Sequence, residues 1–191
     1  MKKLISAVLC LGMILSVASC GTAKETASGT YRETSVATTA KTESTTKEGY
    51  APDFRFKTTD REGNEWDESV FASYDLVMIN IWEPWCGPCV KEMPDIAKLY
   101  ENYKDKNVLI IGVYSDTSME ETVDQLIKDS HVTYPVFHYS QEFDRFQTGY
   151  VPTTVFFDRE GHVMKAPDGE HYVIGSKSYE QWAAIIDSLL G

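Results

Sequence analysis

The chain has 191 residues, 42% of them apolar, which suffices for one domain with a full core plus extensions. Its formal net charge of −11 is concentrated downstream: residues 50–191 carry 12 Lys and Arg against 25 Asp and Glu, a net of −13. Such a surface repels phosphate backbones and anionic headgroups, which argues against nucleic-acid binding and against direct electrostatic docking on a membrane.

The N-terminus reads as an export signal. Met1-Lys2-Lys3 is a short basic region, Leu4 to Val17 an apolar run too short to span a bilayer comfortably, and Val17-Ala18-Ser19-Cys20 closes it with small residues. That ending resembles a bacterial lipobox, which implies cleavage before Cys20 and lipidation of that cysteine; an ordinary cleaved signal peptide is the alternative. Residues 1–19 are thus expected to be signal. Residues 20–49, dominated by Thr, Ser, Ala, Lys and Glu, have almost nothing large and apolar to bury and are expected to form a tether. Such a segment has an r.m.s. span of roughly 30 Å and a stretched reach of about 100 Å.

The folded domain is expected over residues 50–191. Alternation in Phe54-Arg55-Phe56-Lys57 and the turn signal Arg61-Glu62-Gly63-Asn64 predict a hairpin, with a helical turn around Asp67 to Phe71. Leu76-Val77-Met78-Ile79-Asn80-Ile81 is an apolar run, the pattern of a strand buried on both faces. A helix follows: Met93, Ile96, Ala97, Tyr100 and Tyr103 recur at spacings of three and four from Cys89, with charged residues opposite.

Between strand and helix lies Trp82-Glu83-Pro84-Trp85-Cys86-Gly87-Pro88-Cys89. Cys86 falls at the helix N-terminus, where unpaired N–H groups and the positive dipole end favour a thiolate, lowering a cysteine pKa from ~8.5 towards ~7 or below. Cys86 is therefore the expected nucleophile, and Cys89, one turn further in and facing the core, the resolving thiol. A zinc half-site competes with this reading, but zinc needs four ligands, and neither a second C-x-x-C nor a spaced His pair is present. With Cys10 in the signal and Cys20 at the lipid site, no spare thiol remains in the domain, as suits an oxidising compartment.

Val108 to Tyr114 predicts a second buried strand. Ser118-Met119-Glu120-Glu121 reads as a capping box opening a helix with Met119, Val123, Leu126 and Ile127 inward, which completes a βαβ crossover with a strand over Tyr134 to Tyr139. A helical turn over Gln141 to Gln147 leads to Gly149-Tyr150-Val151-Pro152 and a strand from Thr153 to Phe157. A hairpin turn at Asp158 to Gly161 is expected to return through His162 to Lys165, with Tyr172 to Ile174 pairing at the edge. Ser178-Tyr179-Glu180-Gln181 is a second capping box, opening a helix with Trp182, Ile185, Ile186 and Leu189 as its core stripe.

Strand, W-C-G-P-C, helix, and Val-Pro-Thr ahead of a strand resemble a thioredoxin-like fold. The Ala51-Pro52-Asp53-Phe54 opening, the run Cys89-Val90-Lys91-Glu92-Met93-Pro94 and the 66 residues from Cys86 to Pro152 narrow the resemblance to the membrane-tethered TlpA/ResA group of thiol-disulfide oxidoreductases. It implies an α/β, thioredoxin-like fold with an N-terminal β-hairpin and an αβ unit inserted between the C-x-x-C helix and the cis-proline strand. It makes Pro94 a helix-kinking proline and Pro152 a cis-proline that leaves the Val151 backbone free to pair with substrate. Gly175 resembles the glycine where substrate backbone approaches, and Trp85 the ring that shields the site.

One departure is that Asn80 stands where plain thioredoxins bury an Asp, and no partner Lys appears on Val108 to Tyr114. Glu92, three residues after Cys89 and on the same helix face, is the expected substitute proton acceptor; a helix-surface Glu is the alternative.

The activity implied is reduction of protein disulfides, recharged by a CcdA/DsbD-type membrane electron donor, with apocytochrome c or extracytoplasmic methionine sulfoxide reductase as clients. No cofactor, no metal site and no role for the four histidines is expected, and the protein is expected to be a monomer lipid-anchored outside the cytoplasm. A dithiol oxidase, or a non-catalytic metal- or client-binding lipoprotein, are the competing functions.

Overall fold

A computed structural model describes residues 52–191, so Cys20 and the expected signal and tether lie outside the described residues. No helix among those described is long and apolar enough to cross a membrane.

The chain opens with a two-stranded antiparallel hairpin, β1 (Lys57–Thr59) and β2 (Glu65–Asp67). The alternation that predicted it is real, but its first part serves the core: Phe54 and Phe56 are buried, and pairing begins only at Lys57. Asp60 holds the turn, accepting hydrogen bonds from the Asn64 backbone and side chain and from the Trp66 indole. A 3-10 helix over Glu68–Ser73 follows, capped by the Asp67 carboxylate.

The main sheet has five strands in the order β5-β4-β3-β6-β7. Its centre is β3 (Leu76–Ile81), flanked by β4 (Val108–Tyr114) in parallel and β6 (Thr153–Phe157) antiparallel. Both central strands are buried along their whole length, as their apolar runs predicted. β5 (Val136–His138) runs parallel to β4, and β7 (Val173–Ile174) pairs antiparallel with β6.

Side chains alternate across this sheet. Leu76, Met78, Val108, Ile110 and Phe156 face a core that includes α1 (Gly87–Tyr103) and α3 (Tyr179–Leu190), and Val123 of α2 (Glu120–Asp129) joins it. Val77, Ile79, Leu109, Ile111 and Phe157 face the other way, against Phe54, Phe56, Phe71, Phe143 and Phe146. In this aromatic layer the Phe71 and Phe157 rings lie 4.6 Å apart and those of Phe54 and Phe146 4.7 Å apart. Burying one such side chain contributes about 1.5–3 kcal/mol. Gly112 of β4 keeps the first core closed: a Cβ there would meet the Trp82 indole nitrogen and the Tyr134 ring, each at 3.1 Å.

The expected βαβ crossover forms through α2, but its start is not the predicted capping box. The Ser118 hydroxyl donates to Asp116, which itself caps a 3-10 turn over Thr117–Met119, so α2 begins at Glu120 with no side-chain cap. Of the four residues expected to face inward, only Val123 is fully buried. The strand predicted for Tyr134 to Tyr139 is confined to three residues. The return after Asp158 to Gly161 is a single bridge from Phe157 to Val163. At the C-terminus Ser178 and Gln181 do form the reciprocal capping box of α3.

Candidate functional site

The N-terminus of α1 is built from the C-x-x-C stretch. Pro88 sits in the first turn, where a missing N–H costs nothing, and Cys86 is the N-cap. The Cys86 sulfur accepts the Cys89 N–H at 3.2 Å, and the Val90 N–H bonds to the Cys86 carbonyl. The two cysteines are joined in a disulfide. Both are buried in this oxidised state, Cys86 slightly less than Cys89. Sulfur at this cap lies at the positive end of a 17-residue helix, which favours negative charge on Cys86 once the pair is reduced.

The cis-proline segment lies against the dithiol. The Val151–Pro152 bond is cis, and the Val151 carbonyl oxygen is 3.5 Å from the Cys86 sulfur. Gly175, at φ +83°, donates its N–H to the Pro152 carbonyl, and a Cβ on it would meet nothing within 4 Å, so the face beside it is open. Trp85 and Tyr150, which flank the reacting segments, and Ile174 are the exposed large apolar side chains among the described residues.

Glu92 is not a surface residue: it is 3% exposed. Its carboxylate accepts from the Asn80 side-chain amide at 3.2 Å, the Lys177 backbone N–H at 2.9 Å and the Trp182 indole at 3.3 Å. Burial pushes its pKa above the ordinary Glu value, although the three donors and the Lys177 charge pull the other way. A cavity of about 190 Å³, bordered by Lys91, Asp95 and residues 176–178, leads to this carboxylate from the outside.

Sequence reasoning missed the donors to Glu92. Asn80 appeared only as a departure, yet it was the one polar residue in an apolar strand, and its amide bridges Glu92 and Thr154. Trp182 fits the core stripe, and its indole N–H binds Glu92 as well. Lys177, which follows β7, meets Glu92 through its backbone N–H, while its ammonium binds the carbonyls of Ile174 and Gly175. Glu83, to which the sequence assigns no role, is also buried. Among the described residues no group of three His, Cys, Asp or Glu could hold a metal ion.

The chain is similar to known proteins. Over 125 residues the chain is 38% identical to the thiol-disulfide oxidoreductase ResA of Oceanobacillus iheyensis, a match covering 62% of this chain and 63% of that protein's length. A thiol:disulfide interchange protein of the thioredoxin family from Chlorobium tepidum superposes with a TM-score of 0.62 at 19% identity, covering 75% of this chain and 99% of the other. StoA from Bacillus subtilis superposes with a TM-score of 0.56 at 21% identity, covering 72% and 98%. Both structures share the fold, which is thioredoxin-like as the sequence implied. The Redoxin family model matches residues 46–177, from ahead of the hairpin to beyond the Gly175 turn, and on that match the chain belongs to the Redoxin family.

Proposed function

We propose that the protein is a thiol-disulfide oxidoreductase that reduces protein disulfides outside the cytoplasm, tethered by lipid on Cys20 and recharged by a membrane electron-transfer protein of the CcdA/DsbD type. The observation that carries this reading is the Cys86–Cys89 disulfide at a helix N-terminus with the Val151 carbonyl against it. In the reduced protein the Cys86 thiolate attacks a client disulfide. A Cys86–client mixed disulfide forms and one client thiolate leaves. Cys89 gives up its proton and attacks the Cys86 sulfur, closing the Cys86–Cys89 bond and releasing the second client thiol. Two electrons pass from the dithiol to the client, and the membrane donor returns two. The Val151 backbone, the open face at Gly175 and the exposed Trp85 ring serve as the client surface. Extracytoplasmic clients such as apocytochrome c or methionine sulfoxide reductase fit this role.

The test is the reduction potential of the pair together with insulin reduction by the pre-reduced chain. A potential of about −270 mV with rapid insulin precipitation is expected of a Gly-Pro dithiol; a potential of about −120 mV would make the protein an oxidase and reverse the direction of flow. The tether is tested separately. Cys20→Ser is expected to move the protein from membrane to soluble fraction while the purified variant reduces insulin at the wild-type rate. Retention in the membrane fraction would remove lipid as the anchor.

A further inference from the structure

Beside the dithiol, a cavity of about 240 Å³ lies between the Trp85 segment and the 147–151 loop. The buried Glu83 carboxylate lines it. One oxygen accepts from the backbone N–H and the hydroxyl of Ser115, and the other from the Asp116 N–H. A carboxylate offers about four acceptor directions, so one remains after these three donors, and none of the three carries charge. Among the described residues no Lys, Arg or His nitrogen forms an ion pair with Glu83. The Arg145 guanidinium is engaged elsewhere, donating to the Asp53 carbonyl and lying over the Phe54 and Phe146 rings. Burying a carboxylate without a cation is costly, and pinning the 115–116 loop alone would need only a neutral acceptor.

The walls suit a cation. Trp85, Tyr139, Phe146 and Tyr150 line the cavity, and aromatic faces attract ammonium and guanidinium groups. The Tyr139 hydroxyl donates to Asp144, which adds a second carboxylate beyond that ring. Burial and the Asp144 bond push the Tyr139 phenol up to about 12, with the Glu83 charge acting in the same direction. An apolar occupant would desolvate Glu83 further without neutralising it, and an anionic one would be repelled. The cavity lies beside the reacting segment: Trp85 and Val151 line it, and the Val151 carbonyl oxygen is 3.5 Å from the Cys86 sulfur. An extended chain advances about 3.3 Å per residue, so residues close in sequence to a client cysteine bonded to Cys86 pass this neighbourhood.

We propose that this cavity is a specificity subsite for a Lys or Arg side chain close in sequence to the target cysteine of the client. The inference rests on the reading of the dithiol as a reductant of protein disulfides. The surplus of negative charge steers cationic segments towards the same protein.

The experiment uses the pre-reduced full chain and disulfide-linked peptides that differ only in lysine, norleucine or glutamate next to the cysteine. Each second-order rate is divided by that of the same peptide with dithiothreitol, which removes the effect of the neighbouring charge on the peptide's own sulfur. Uncharged hydroxyethyl disulfide is run alongside. A lysine-to-norleucine ratio of about 10 is expected, with glutamate below norleucine. The lysine preference is expected to fall towards 1 in Glu83→Gln and in Tyr150→Leu, the second being a substitution at an exposed position that leaves the core untouched. Reaction with hydroxyethyl disulfide but a wild-type ratio near 1 overturns the subsite alone. A wild-type preference that survives in both variants also overturns it. No reaction with hydroxyethyl disulfide overturns the reductant reading, and the subsite with it.

Discussion

Cells making Cys89→Ser are expected to accumulate the protein as mixed disulfides through Cys86, and catalytic turnover is expected to fall by a factor on the order of 10³ or more. The asymmetry follows from position. The Cys86 sulfur caps α1, accepts the Cys89 N–H and lies 3.5 Å from the Val151 carbonyl, the segment a client strand would pair with. Cys89 is 2% exposed and set one turn into the helix, so it reaches only a sulfur already bonded to Cys86. Removing it leaves the attack intact and deletes the release. The species is read on non-reducing gels as adducts that collapse with reductant and are absent from the double variant Cys86→Ser/Cys89→Ser. If Cys86→Ser, and not Cys89→Ser, traps partners, the two roles are exchanged.

Glu92→Gln is expected to leave the first attack near the wild-type rate and to slow release of the mixed disulfide by about 10², the contribution of a general base. Glu92 and Cys89 lie three residues apart on α1, the spacing of neighbours on one helix face, and burial raises the pKa of the carboxylate, which makes it a stronger base for the Cys89 proton. The amide can be accommodated. Its oxygen can accept from Lys177 and Trp182, and Asn80 can turn its own oxygen towards the new NH₂ while the Thr154 hydroxyl donates. A second readout is stability. With the folded pKa raised, the native state holds a proton that the unfolded chain has released. Stability from this group is therefore fully present below the ordinary Glu pKa and is lost as pH rises through the raised value. Glu92→Gln lacks that slope. Equal resolution rates for wild type and variant from about pH 5 to 9 would reduce Glu92 to a structural role.

What the sequence disclosed was whatever has a local period. The runs at β3 and β4 announce doubly buried strands, and the stripes of α1 and α3 fix which helix faces point inward. The surroundings of Glu92 have no such period. Its donors lie 12, 85 and 90 residues away, and one of them is a backbone N–H that no side-chain pattern marks. Trp182 misled because a single residue serves two purposes, its ring filling the core and its N–H binding the carboxylate. Ser118 misled in the opposite way: the capping pattern is present, but Asp116 sits close enough to take its hydroxyl first. Glu83 carried a signal that went unread, an acidic residue within the apolar and aromatic stretch leading to Cys86.

The borders of the main sheet bear on the proposed reduction of client proteins. Unpaired strand edges act as templates for stray strands, and long ones seed aggregates. Here one border, β5, is three residues long and is further blocked where Asp60 of the hairpin bridges Phe137. The other, β7, is two residues long. A client arriving with its own strands exposed finds little to zip onto at either side. On the proposed reading, lasting capture of a client is then governed by the reversible Cys86 disulfide rather than by extension of the sheet at its borders.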